Sequence, residues 1–126
     1  MAKIYRVTDK ISYKVGELEI KLSPLSVADK LDITNLMFKA QEGDTKAMMD
    51  GSIYSLQCTI KAISGLTDSD GNEYKLQFEN GKLSRECVED LLNIEQSNTL
   101  IALCSSFVGG IPNKLPHGVE LSGPKS

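Results

Sequence analysis

Apolar and polar residues alternate from residue 10 to residue 22: Ile11, Tyr13 and Val15, then Leu18, Ile20 and Leu22, with Gly16-Glu17 between the two sets. Alternation at period two, broken by a short turn, predicts a β-hairpin with one packed face and one wet face. Two strands alone are marginal in water, so this ribbon needs a helix or another strand as cover.

Ser23-Pro24-Leu25-Ser26 stops the second strand, and Ser26 with Asp29 three residues on predicts a helix N-cap. A helix over 27–41 follows, with Val27, Leu31, Thr34, Met37 and Phe38 on its apolar side and Gly43 beyond its end. Asp44 or Thr45 caps the next helix, 46–64. At about 100° per residue its polar positions Lys46, Asp50, Gln57, Lys61 and Ser64 share one thin stripe. A helix apolar over most of its circumference is expected at the centre of the fold, with elements packed on both sides. Gly51 in its interior costs about 1 kcal/mol against Ala, which a close crossing would explain. Gly65 stands where a C-terminal cap glycine belongs, with Leu66 returning onto the helix.

Residues 68–72 read as a turn and 73–78 as a short strand through Tyr74, Leu76 and Phe78, closed by the Asn80-Gly81 turn. That strand is expected to pair with the N-terminal ribbon. Ser84 caps a helix over 84–94, with Cys87, Val88, Leu91 and Leu92 inward. Ser97 caps a last one over 97–108, carrying Leu100, Leu103, Cys104, Phe107 and Val108. After Gly109-Gly110 periodicity ends and three of the four prolines appear, so 109–126 is expected to be a flexible tail. The pattern predicts an α+β globular domain over 1–108. Its small antiparallel sheet, the N-terminal hairpin plus one central strand, packs against about four helices.

A chain of 126 residues is one domain, large enough to bury a core without disulfides or a structural metal. Hydrophobic residues at 40% and charged residues at 25% are globular values. The balance of 14 Lys and Arg against 17 Asp and Glu, with no long run of either sign, gives no electrostatic case for nucleic acid. Met1-Ala2-Lys3-Ile4-Tyr5-Arg6 turns polar before a signal peptide's apolar stretch develops. No segment approaches the ~20 apolar residues of a membrane span, so a cytosolic protein without membrane contact is expected. Cys58, Cys87 and Cys104 are odd in number and far apart, as expected of reduced core residues.

Candidate chemistry is sparse. Asp68-Ser69-Asp70-Gly71 resembles part of a calcium loop, but placing Gly71 at the sixth loop position puts Leu66 and Gln77 where carboxylates must close the shell. The cysteines and His117 lack the paired spacing of a zinc site. The single histidine, in the Pro-rich segment, anchors no nucleophilic triad, and no Gly-rich phosphate loop follows a strand. The last two helices could suggest helix-turn-helix. The second of them has no Lys or Arg, and the first segment carries Arg85 against Glu86, Glu89, Asp90 and Glu95, which repel phosphates. Met37, Met48 and Met49 suit either core filling or an adaptable partner groove, with Met48 the better contact candidate of the adjacent pair. No catalytic, metal-binding or cofactor-binding residue is assigned, and no enzymatic activity is expected.

The order of elements carries a resemblance. A ribbon ending in Leu22-Ser23-Pro24-Leu25-Ser26 precedes a long helix and then Leu56-Gln57-Cys58-Thr59-Ile60-Lys61-Ala62-Ile63-Ser64-Gly65-Leu66. Asp70-Gly71-Asn72-Glu73-Tyr74 and Gly81-Lys82-Leu83-Ser84, leading to Val88-Glu89-Asp90-Leu91-Leu92, follow. Over about residues 18–108 this resembles the small tail assembly chaperones of long-tailed bacteriophages. The resemblance implies a non-catalytic protein that binds the tape-measure protein, a very long helical chain, while tail-tube subunits assemble around it. It also implies a monomer or small homo-oligomer in the host cytoplasm, missing from the mature virion. A frameshifted longer form would join in the 109–126 segment, where Pro124-Lys125 fits a slippery run. The expected contact residues are Phe38, Met48 and Ile101, apolar side chains in excess of what a small core needs, with ordinary core burial as the competing expectation. The alternative reading is a structural virion component, such as a head-tail connector or minor tail protein, built into a symmetric ring.

Overall fold

A computed structural model describes residues 3–122. The alternation at residues 11–22 gives β1 (Ile11–Val15) and β2 (Leu18–Leu22), antiparallel in register from Ile11↔Leu22 to Val15↔Leu18. All six apolar side chains of the hairpin point into the core. Then follow α1 (Val27–Gln41), α2 (Thr45–Thr59), β3 (Ile60–Ser64), β4 (Phe78–Glu79) and β5 (Lys82–Leu83). The chain continues through α3 (Arg85–Leu91), α4 (Ser97–Ser106), a 3₁₀ turn (Phe107–Gly109) and β6 (Val119–Leu121).

Among the described residues the architecture is α+β: four helices on an antiparallel four-stranded sheet of order β3-β2-β1-β6, with β4 and β5 in a separate small hairpin. As its pattern predicts, α2 is central, packing against α1, α3, α4 and β5. Leu56, Ile60, Leu100 and Leu103 are fully buried in one core with Ile20 and Leu22 of the sheet. Local capping follows the sequence at three helices. Ser26 Oγ accepts from the Asp29 amide at 3.1 Å, an Asp44 carboxylate oxygen from Ala47 at 3.0 Å, and Ser84 Oγ from Cys87 at 3.2 Å. At the fourth, Ser97 is the first helical residue and the preceding Gln96 makes no side-chain cap.

Three expectations are corrected. The helix expected over 46–64 stops at Thr59, and the chain passes directly into β3, which pairs with β2 from Glu19↔Ser64 to Leu22↔Ile60. Thr59 Oγ1 donates to the Ser55 carbonyl at 2.7 Å, and the β-branched Ile60 and Ile63 suit a strand. The free edge of β2, some forty residues back, supplies the ladder. The third strand is therefore β3, not 73–78. With β2 and β1 already paired to β3 and β6, residues 73–78 have no ribbon edge to join. Glu73 instead bridges Thr67, and the Tyr74 amide donates to Leu66 at 2.9 Å.

The second correction concerns Gly65, which caps no helix. It ends β3 with φ +90° against the β1–β2 turn, where a Cβ would come within 2.7 Å of the Glu17 carbonyl oxygen.

The third concerns the segment expected to be a tail after residue 108. Val119–Leu121 pairs with β1 in register from Tyr13↔Leu121 to Val15↔Val119, and the Ser122 amide donates to Ser12 at 2.8 Å. Val119 is buried, and Ile111 and Leu115 pack on the core. A strand of three residues between glycines is too short to show a period, so its pairing comes from the edge that β1 offers. Pro124-Lys125 lies outside the described residues.

Gly51 faces α1, yet a Cβ there would meet Leu36 Cβ at 3.5 Å, an ordinary contact. The crossing is close without requiring glycine. Gly51→Ala is expected to stabilise the fold by about 0.5–1 kcal/mol through helix propensity, read as a higher urea midpoint. A lower midpoint would show that the α1–α2 spacing does not admit a methyl.

Candidate functional site

The helix α1 buries only one of its 15 residues completely, Ile33. Leu36, Met37 and Ala40, at the i+3, i+4 and i+7 positions from it, fall on the same side. The other apolar stripe, Val27, Leu31 and Phe38, lies about 120–160° around the helix at 100° per residue. It faces outward, with these side chains 73%, 59% and 57% exposed. The apolar spacing predicts Val27, Leu31, Thr34, Met37 and Phe38 on the packed side, and the structure corrects this for Val27, Leu31 and Phe38. A helix with two apolar stripes can bury only one, and Ile33-Leu36-Met37-Ala40 was the signal for the one that wins.

The orientation of α1 is fixed from its first turn. Asp29 accepts from the Tyr54 hydroxyl of α2 at 3.1 Å and lies 3.6 Å from Lys82 Nζ of β5. On α2, Asp50 accepts from Lys46 at 2.9 Å and from Arg85 of α3 at 3.2 Å, and these two hydrogen bonds hold its carboxyl below the usual range.

Between the buried side of α1 and the first turns of α2 runs a cleft of about 280 Å³. Met37 and Met48 form its walls, and Ala40, Ala47, Gly51 and Ser55 lie along its floor. Met48 is 58% exposed, and the adjacent Met49 is exposed too. Of the three contact candidates, Met48 lines this cleft, while Phe38 stands beside it on the outward stripe. Ile101 is half-buried on α4 against the core, apart from both, although Ser105 one turn later reaches the cleft. Ordinary core burial is thus excluded for Phe38 and Met48.

Burial pushes the Cys58 and Cys104 thiols from the ordinary 9 up to about 12, so both stay protonated at neutral pH. Asp68 accepts from the amides of Asp70 and Asn72 at 2.9 and 3.0 Å, an Asx turn built on its own loop. His117 is exposed in the turn before β6. Among the described residues no group of three His, Cys, Asp or Glu side chains is placed to hold a metal ion, and no helix is long and apolar enough to cross a membrane.

The raised thiols, with the Tyr13 phenol pushed by burial up to about 12, fix an alkaline limit. The unfolded chain releases these protons first. Their contribution to stability is therefore complete below about pH 9 and is lost as pH rises toward 12. The urea midpoint is expected to fall between about pH 8 and about pH 10.5. A midpoint that rises over that interval would contradict the burial of these groups.

Comparison with protein-family models, curated proteins and solved structures gives no match to this chain.

Proposed function

We propose that this protein is a non-catalytic tail assembly chaperone of a long-tailed bacteriophage, one that covers apolar helix faces of the tape-measure protein while tail-tube subunits assemble around it. The observation that carries the reading is the apolar surface left open on α1 and α2. Phe38 and Leu31 stand on one side of Met37, and the cleft bounded by Met48 on the other. Exposed apolar side chains gathered on neighbouring helices mark an interaction site more often than scattered ones do. A cleft with a floor of small residues and flexible thioether walls suits an amphipathic helix of variable sequence. The order of elements supports the same reading through its resemblance to that family. Phe38 and Met48 are the contact residues in this proposal, while Ile101 packs against the core apart from them. The protein acts in the host cytoplasm as a monomer or small oligomer and leaves the tail before the virion matures.

The test is affinity purification of the tagged protein from cells assembling the phage, with mass spectrometry of bound proteins and of purified particles. Recovery of a very long helical protein is expected, falling about tenfold with Phe38→Asp combined with Met48→Asp. Both positions are exposed, so the melting temperature of that variant should stay close to the parent's. Stoichiometric presence in particles would replace this reading with that of a structural tail or connector component.

A further inference from the structure

A second concavity, larger than the α1–α2 cleft, lies at the opposite end of α1. It is an open hollow of about 1000 Å³ between the start of that helix, residues 3–7 and residues 107–115. Its lining is mainly apolar, with Leu25, Phe107, Ile111 and Leu115 inside, and the exposed Val7 and Leu121 also border it. The charged side chains that line it are Lys3 and Lys30, with no carboxylate among them, in a chain where acids outnumber bases 17 to 14.

Tyr13 supplies an independent sign. It is 1% exposed, lines this cavity, and its hydroxyl makes no hydrogen bond among the described residues. Tyr54 and Tyr74, less buried, give theirs to Asp29 and Asp90. No buried side-chain nitrogen or oxygen among the described residues lacks a partner, so this hydroxyl reaches the open space of the hollow instead, and it stays protonated and able to donate well above neutral pH. Lys3 Nζ sits 5.2 Å from the Tyr5 ring centroid, and Tyr5 is near enough to Tyr13 to influence its ionisation, so Lys3, Tyr5 and Tyr13 share one side of the cavity. From another side the N-cap Ser26 and first residue of α1 line the same space, bringing the positive end of a 15-residue helix to it. The acid of that first turn, Asp29, is engaged by Tyr54 and Lys82.

We propose that this cavity binds an anionic amphiphile, an aliphatic carboxylic acid of medium chain length, its alkyl body against Leu25, Ile111 and Leu115 and its carboxylate drawn to Lys3, Lys30 and the Tyr13 hydroxyl. The volume lies at the upper end of the range for small-molecule sites, and an apolar lining with a few convergent polar groups is their usual make-up. Charge complementarity selects the acid over a neutral alcohol of the same length, because only the ionised head adds an ion pair to the hydrogen bonds the lysines donate. The site is separate from the α1–α2 cleft and does not depend on it.

Isothermal titration of the full chain with decanoate, below its micelle concentration, tests the assignment against decanol and acetate. Saturable binding of one decanoate per chain is expected, with decanol about tenfold weaker and acetate alone without effect. Lys30→Glu is expected to weaken decanoate about tenfold at an unchanged melting temperature, and Tyr13→Phe to weaken it severalfold. Should Tyr13→Phe fail to fold, Lys30→Glu decides. The proposal is overturned if decanoate does not saturate, if decanol binds as tightly, if acetate competes equally, or if Lys30→Glu binds like the parent.

Discussion

Ending the chain at Val108 is expected to lower its stability by about 3–5 kcal/mol, from the apolar burial that Ile111, Leu115 and Val119 provide. Those three side chains cover the core beside β1, and β6 carries hydrogen bonds along the β1 edge. Without β6, Tyr13 and Val15 lose their neighbour on that side and the sheet ends on an unpaired strand. Domains of this size hold roughly 5–15 kcal/mol in all, so the shortened chain is left close to its unfolding threshold. Urea unfolding of both chains measures the loss, and faster amide exchange in β1 locates it. Equal midpoints would mean that residues 109–122 do not close the sheet.

Gly65→Ala is the single substitution with the largest expected effect, a loss of about 3 kcal/mol. Two costs combine. An L residue at φ +90° is strained, and its Cβ would stand 2.7 Å from the Glu17 carbonyl oxygen, backbone that cannot swing aside. Gly71→Ala separates them, since Gly71 has φ +84° but nothing within 4 Å of an added Cβ. That variant is expected to lose only about 1 kcal/mol. If the two variants have equal urea midpoints, the β3 end does not press on the hairpin turn as described.

What the sequence made legible is what is decided locally. The hairpin could be read because both its strands and its turn lie within thirteen consecutive residues, and each inward position is apolar. The caps at Ser26, Asp44 and Ser84 could be read because each bonds an amide three residues on. The junction at Thr59–Ile60 could not. The apolar positions of 60–64 continue a helical stripe as well as they make a strand, and the edge that decides between them belongs to residues 18–22. The same holds for β6, whose partner lies at the far end of the chain. At the candidate surface, Phe38 and Met48 were picked out as surplus apolar residues and prove exposed. The face of α1 that packs was missed, because composition ranks both stripes alike and only the position of α2 chooses between them.

Neighbours in the sheet are not neighbours in time. The β1 edge is closed by a strand that begins more than a hundred residues after β1 ends. At a synthesis rate of ~5–20 residues per second, β1 leaves the ribosome roughly 5–20 s before β6 can reach it. The hairpin must pass that interval with one flank open, and during it the nascent chain is most exposed to pairing with another copy of itself.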